Sequence, residues 1–434
     1  MRRLVGTLGL LAAALTLGCE EQLIAPGDCP DFCPNGQIVL VDTVFTTVIT
    51  RDSAYRGYVQ AYQSGAATAT DQPAAQSRPY FKLDPMFVRI RSSGTDTTTV
   101  PVIADSARLR LAITRRDTTA PNLRLQIYAL PQTVDTLSTF ADLDPYFSGP
   151  IVDSVNVSDL RSRPLIGDTA TVRAWGDSIR TDSAGHVLVI SRTDATWFIY
   201  FSLDTLQAPL AEPDSGRLAY GVKVVADTAV SITLGTNESV SNGPVMEWFY
   251  HYTPKDSVNA KTDSTLRSPS FDSYVFDPPN AALDSNLTVG GAPSARSLIR
   301  VTIPPALRDS IDVVRATLLL VPVTPATGVA SDSFYIVARQ VTTDLGAKSP
   351  LSNDAAGSVV IHPGVSDTVR LEITDMVRAW VLLDTLSTTA FMLSQLPQAE
   401  ATSFTEARFY SSLTPAFRPA LHVTFVRRFP FGRP

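Results

Sequence analysis

The stretch DSNLTVGGAPSARSLIRVTIPPAL, residues 284–307, sets the reading of the whole chain. In ARSLIRVTI, Ser297, Ile299, Val301 and Ile303 alternate with Arg296, Leu298, Arg300 and Thr302, so one face is apolar and the other carries both arginines. A period of two belongs to a β-strand with one face in a core. Gly290 and Gly291 supply the turn into it, because glycine accepts backbone angles that other residues resist. The arginine face pairs with acidic or hydroxyl neighbours across strands, or meets a ligand carboxylate that a planar guanidinium fits.

The same alternation recurs on both sides. Leu109, Leu111 and Ile113 oppose Arg108 and Arg110 in ARLRLAI, and Leu123, Leu125 and Ile127 oppose Arg124, Gln126 and Tyr128 in NLRLQIYAL. Short runs of Val, Ile, Leu, Thr and Tyr are separated by Asp, Ser, Gly and Pro, which mark turns. Asp-Ser and Asp-Thr pairs, as at Asp105, Asp153, Asp214, Asp309 and Asp367, are read mostly as turn chemistry. The expected fold class is all-β.

At 434 residues the chain exceeds what one core usually serves, which favours two domains. The longest polar stretch, HYTPKDSVNAKTDSTLRSPSF at 251–271, divides it. RGYVQAYQSG followed by YFKLDPMFVRI is similar to DSYVFDPPNA followed by LTVGGAPSARSLIRVTI, and DSARLRLAITRRD is similar to IDVVRATLLLVPV. TATVRAW, with Trp175, echoes ITDMVRAW, with Trp380. The expected layout is therefore two tandem antiparallel sandwiches of one kind: a first over 38–252 with insertions, a linker over 253–270, and a second over 271–434.

Residues 1–18 read as a signal peptide, with Arg2 and Arg3 before an apolar run that is too short to span a bilayer. Gly18 followed by Cys19 resembles the lipobox of bacterial lipoproteins, which implies a diacylated Cys19, export and a lipid anchor in the outer membrane or at the cell surface. Residues 19–37 form a polar tether in which Cys29 and Cys33 are expected to pair as a small disulfide. A formal net charge of −6 with no basic run excludes a nucleic-acid surface.

The second half also resembles a family. DSYVFDPPNAALDSNLTVGGAPSARSLIRVTIPPAL, VVRATLLLVPV, DTVRLEITDMVRAWV and ARFYSSLTPAFRPALHVTF are similar, in order, to blocks of the DNRLRE-type domain over roughly residues 271–426. The resemblance implies a jelly-roll-like sandwich of secreted bacterial proteins, some regarded as carbohydrate-binding modules. Within it, Val377, Trp380 and Val381 fall at helical spacing after Thr374 or Asp375, making Trp380 a core plug.

Chemistry-bearing motifs are sparse. The histidines His186, His251, His362 and His422 lie far apart and read as surface or sandwich-edge residues; no metalloprotease, hydrolase-elbow, P-loop or dinucleotide motif occurs. A non-enzymatic binding protein is expected, its partner a polysaccharide or an envelope protein. The alternatives are a purely structural envelope protein and, third, an enzyme acting on polysaccharide through two of the many carboxylates. MEWFYHY puts Trp248, Tyr250 and Tyr252 on one strand face, with Phe249 and His251 on the other; the first set is the candidate sugar platform, and the same pattern fits a core strand. Asp272, Asp277, Asn280, Asp284 and Asn286 form an oxygen-rich run that suits a structural calcium, while turn chemistry explains the same residues. No other cofactor is implied.

Overall fold

The protein is described from a computed structural model covering residues 39–427, except 58–65, 73–74, 85–87, 92–97, 118–119, 167–176, 192, 194, 209–217, 240, 256, 278–284, 292–293, 309–310, 331–332, 383–387 and 397–402. Cys19, Cys29, Cys33, Trp175, Asp214, Asn280, Asp284 and Asp309 lie outside the described residues. No described helix is long and apolar enough to cross a membrane.

The fold is an all-β arrangement of antiparallel sheets. In chain order the strands are β1 Leu40–Phe45, β2 Ile49–Arg56, β3 Ala66–Gln72, β4 Ala75–Leu83, β5 Arg89–Arg91, β6 Thr99–Pro101, β7 Ile103–Arg115, β8 Arg124–Leu130, β9 Ile151–Asn156, β10 Ser178–Thr181, β11 Val187–Ile190, β12 Trp197–Leu203, β13 Leu218–Val225, β14 Val230–Gly235 and β15 Val245–Tyr252. There follow β16 Lys261–Arg267, β17 Pro269–Asp277, β18 Leu287–Gly290, β19 Ala295–Val301, β20 Ile311–Leu320, β21 Phe334–Val341, β22 Leu351–Ile361, β23 Val369–Glu372, β24 Ala390–Gln395, β25 Glu406–Phe409 and β26 Ala420–Arg427.

One sandwich has the layers β1-β26-β20-β23 and β22-β21-β24-β19-β18-β25, with β2 added beside β19. The other has β16-β15-β7-β12-β11-β10 facing β9-β8-β13-β4-β3-β14, with β17 beside β4. Its two layers are joined where a bulge lets β14 also pair with β7. Strand for strand these are one topology: β7 stands where β20 stands, β8 and β9 where β21 and β22 do, and β12 to β15 where β23 to β26 do. The repeat read in DSARLRLAITRRD and IDVVRATLLLVPV is this β7 and β20 correspondence.

The boundaries read from sequence do not survive the pairing. Residues 40–56 belong to the second sandwich: Leu40 pairs with Val426 and Phe45 with Leu421 along β1 and β26, while Arg56 pairs with Ala295 along β2 and β19. Half of the expected linker at 253–270 is strand. β16 pairs with β15 and β17 with β4, so both complete the first sandwich. Each repeat thus lends its first two strands to the other copy. Alternation dictates that a strand needs a sheet, but it does not say which sheet edge the strand joins, so the pattern alone does not name the partner.

Polar contacts fix the exchange. Arg56 pairs with Glu406 at 2.8 Å, 350 positions away. Asp52 on β2 accepts from the Ser412 N–H at 2.7 Å and its hydroxyl at 3.0 Å, in the loop after β25. Asp272 on β17 accepts from the Asn237 N–H at 2.7 Å, in the loop after the corresponding strand, β14. Burial raises the pKa of both aspartates, Asp272 to about 6, with the charge of Glu238 adding to the effect there. Both sit in Asp-Ser pairs, and here the aspartate clips a lent strand instead of making a turn. Asp105 and Asp153 likewise lie within strands, β7 and β9, not in turns.

Each sandwich closes on its own core. Leu109, Leu111 and Ile113 of β7 meet Leu125 and Ile127 of β8 in one. In the other, Ile299 and Val301 of β19 meet Leu318 and Leu320 of β20, and Trp380, from the helix Thr374–Leu382, packs 6.1 Å from Phe391. That helix runs nine residues, with Met376 buried along with Val377 and Trp380.

Candidate functional site

The proposed sugar platform turns inward. β15 alternates as expected, but Trp248 is 0 % exposed and Tyr250 is buried, both within the first core. The Trp248 indole donates to the Ala208 carbonyl at 3.0 Å, and Tyr252 packs against the same cluster. A ring enclosed on all sides has no face left for a sugar, so Trp248 and Tyr250 are packing residues. Trp248 fills this core much as Trp380 fills the other.

The opposite face of β15 is the one that opens outward. Register places Phe249 against Ser106 and Glu247 against Arg108 on β7, while β12, on the other side of β7, sets Tyr200 against Arg110. Phe198, Tyr200 and Phe249 are half-buried there. The Arg108 guanidinium lies 5.3 Å from the Phe249 ring centre and 5.8 Å from that of Tyr200; Arg110 lies 5.3 Å from Phe198. Arg110 is held by the Ser241 and Gly243 carbonyls at 3.1 and 3.3 Å, and His251 by Asp105 at 2.7 Å. The outward sheet face thus carries three rings interleaved with two cations. The signal was in the sequence, since TWFIYFSL alternates Trp197, Ile199 and Phe201 with Phe198 and Tyr200, but it becomes a site only once β12 and β15 flank β7.

The arginine face of β19 is covered. Arg296 is 7 % exposed and engaged within the protein. Arg300 makes a two-pronged pair with Asp344, one prong through Nε and the other at 2.8 Å from Nη2, which holds the Asp344 carboxyl below its usual range. Leu298 between them packs on Val341, Ala390 and Met392. Asp344 occupies the place given to a ligand carboxylate, so neither arginine offers an open site.

The calcium set does not converge. Asp272 and Asp277 are five residues apart on an unbroken stretch of β17, which places them on opposite faces and about 17 Å apart along the strand. A calcium ion needs oxygens within about 2.6 Å. Among the described residues no cluster of three or more metal-ligating side chains occurs.

His186 is no surface residue. Its ring is buried between Asp182, at 2.7 Å from Nδ1, and Asp153, at 3.0 Å from Nε2. Burial opposes its charge, but the two carboxylates outweigh burial and raise the pKa to about 9. The imidazolium has both nitrogens occupied, leaving no lone pair for a base or a metal.

Corresponding ends of the two sandwiches open into pockets. In the second, between the β20–β21 loop and the β22–β23 connection, a cavity of about 240 Å³ is walled mainly by Ala326, Val359, Ile361, Val365 and Val369, with Arg370 among its polar residues. In the first, beside the β7–β8 loop and the start of β12, a cavity of about 410 Å³ is lined by Asp117, Leu123, Ser158, Arg161, Ser162 and Trp197. Val369 and Trp197 each open the corresponding strand, β23 or β12.

No family model matches the chain, and no curated protein is similar to it. A solved structure titled "BspA_C_mut" is 8% identical, with 85% of this chain and 92% of that one covered, at a TM-score of 0.13, a likeness too slight to carry an argument.

Proposed function

We propose that this is a non-enzymatic lipoprotein, anchored through Cys19 at the outer membrane or cell surface, whose paired sandwiches of the DNRLRE type hold a polysaccharide. The observation that supports the reading is the outward face of β12, β7 and β15. Phe198, Tyr200 and Phe249 offer ring surface to sugar C–H groups, and Arg108 and Arg110 offer donors to hydroxyls. The Asp182–His186–Asp153 cluster, with both ring nitrogens engaged, provides no catalytic base. A second reading, an envelope protein that docks onto another protein, draws on the apolar pocket of the second sandwich, flanked by the exposed Val360 and Val365.

Affinity electrophoresis through neutral and acidic polysaccharides tests the first reading. Phe249→Ala and Tyr200→Ala should each weaken retention by about five- to tenfold, the loss of a stacking partner, with little change in melting temperature. Absence of retention of the wild type on every polymer, or unchanged retention of both variants, removes the saccharide reading. Acyl labelling tests the anchor: Cys19→Ser should lose the label and leave the membrane fraction.

A further inference from the structure

The pocket at the β7–β8 end of the first sandwich carries a charge imbalance. Arg116 lies over the Trp197 ring at 4.0 Å and Arg161 approaches the same ring at 5.8 Å, so two guanidinium groups share one indole. Neither has an acidic partner among the described residues. Arg116 Nη1 donates to the Ala195 carbonyl at 3.1 Å, while its Nε is buried without an acceptor among the described residues. Trp197 Nε1 is in the same condition, on a side chain only 5 % exposed. Burial, and then the charge of Arg161, lower the Arg116 pKa, the mark of a cation short of counter-charge.

The frame around it is strained. Asn122 at φ 53° and Ala195 at φ 57° are the non-glycine residues with positive φ among those described, and they lie in the two loops that flank this pocket, β7–β8 and β11–β12. Such strain persists where surrounding structure enforces it, and it gathers at binding sites. The lining adds the Ser158 hydroxyl, the Ser162 hydroxyl, which donates to the Asp159 carbonyl at 2.7 Å, and Asp117, which is itself engaged within the protein.

We propose that this pocket binds an oxyanion, a carboxylate or sulfate group, held by Arg161 on the Trp197 wall, with Arg116 on the same ring as the second cation. Planar guanidinium groups pair with such oxygens through two parallel hydrogen bonds, and an anion between two like charges removes their repulsion. The corresponding end of the second sandwich has Val369 where Trp197 stands, and its walls are mainly apolar.

The test is titration of the purified full chain with sodium sulfate, read by tryptophan fluorescence and melting temperature, with ionic strength held constant by chloride. A saturable change is expected in the millimolar range. Arg161→Gln, at an exposed position, should raise the half-saturation point about tenfold without lowering the melting temperature in chloride, and Arg116→Gln should do likewise. Arg315→Gln, on the second sandwich, should titrate as wild type. Glucuronate and glucose separate the sources. A response to glucuronate and not to glucose assigns a carboxylate, whereas a response to sulfate alone assigns a sulfate group. The proposal is overturned if neither sulfate nor glucuronate exceeds chloride, if glucose acts as well as glucuronate, or if both arginine variants titrate as wild type.

Discussion

The two sandwiches share a strand order and a reciprocal loan of edge strands, yet the pockets at their corresponding ends differ in kind. In the second, Ala326, Val359, Val365 and Val369 make an apolar wall; in the first, Trp197, Arg161 and Ser158 make a polar one, with Arg116 stacked on the Trp197 ring. The cores obey the same packing constraints, so they stay alike. The loops at the sheet ends carry no such constraint, and that is where one repeat diverged from the other. The two copies share one scaffold, and the residues at the sheet ends give each copy its own surface.

The loan of strands makes the copies unequal in folding. The first sandwich is complete within residues 66–277, but the second needs both ends of the chain, because Leu40 must find Val426. Contacts of such sequence separation are slow to form. The largest expected effect breaks the comparison outright. Residues 66–277 expressed alone should melt cooperatively with a β-type far-UV spectrum, whereas residues 268–434, lacking β1 and β2, should aggregate or stay unfolded. Joining residues 39–57 by a flexible linker to 285–427 should restore a folded second sandwich.

Within the first sandwich, Trp248→Ala should cost about 3–5 kcal/mol by chemical denaturation, because it empties a fully buried indole site. Phe249→Ala, one residue away on the open face, should cost under about 1 kcal/mol. Equal losses would mean that the faces of β15 are not divided between core and exterior.

A smaller effect separates the copies by pH. The His186 pKa is raised from 6.5 to about 9, so its stabilising charge is fully present below pH 6.5 and fades as pH rises through 9. Residues 66–277 should therefore lose about 2 kcal/mol between pH 6 and pH 10, less than the whole shift implies because water reaches part of the cluster. His186→Gln should be less stable at pH 6 and should flatten that dependence. A wild-type fragment with no alkaline loss would refute the charged-histidine assignment.

Much of this was legible beforehand. The alternation in ARLRLAI and ARSLIRVTI gave strand faces, and Trp380 reads as a plug from its spacing. Three things were not legible, each for a physical reason. The partner of an edge strand is not written in its own alternation, so DSYVFD was assigned to the copy it precedes although it completes the copy behind it. In MEWFYHY both faces are aromatic, so hydrophobicity could not tell core from exterior, and only the packing of Trp248 and Tyr250 into the core shared with β7 decides it. The Arg116–Trp197–Arg161 grouping joins the β7–β8 loop, the first residue of β12 and the helix Val157–Ser162, far apart in sequence, and no local motif announces it.

The exchange of strands is tested most directly by a cross-link. Thr50 and Thr302 present their hydroxyls 3.3 Å apart at the exposed start of the β2 and β19 pairing, 252 residues apart in sequence. The double variant Thr50→Cys, Thr302→Cys of the full chain, mildly oxidised and mapped by peptide mass spectrometry, should give a disulfide-linked peptide pair joining these two positions in near-quantitative yield, with an unchanged melting temperature. If the two introduced thiols remain free while the folded chain is oxidised, β2 does not lie on the second sandwich and the reciprocal loan is wrong.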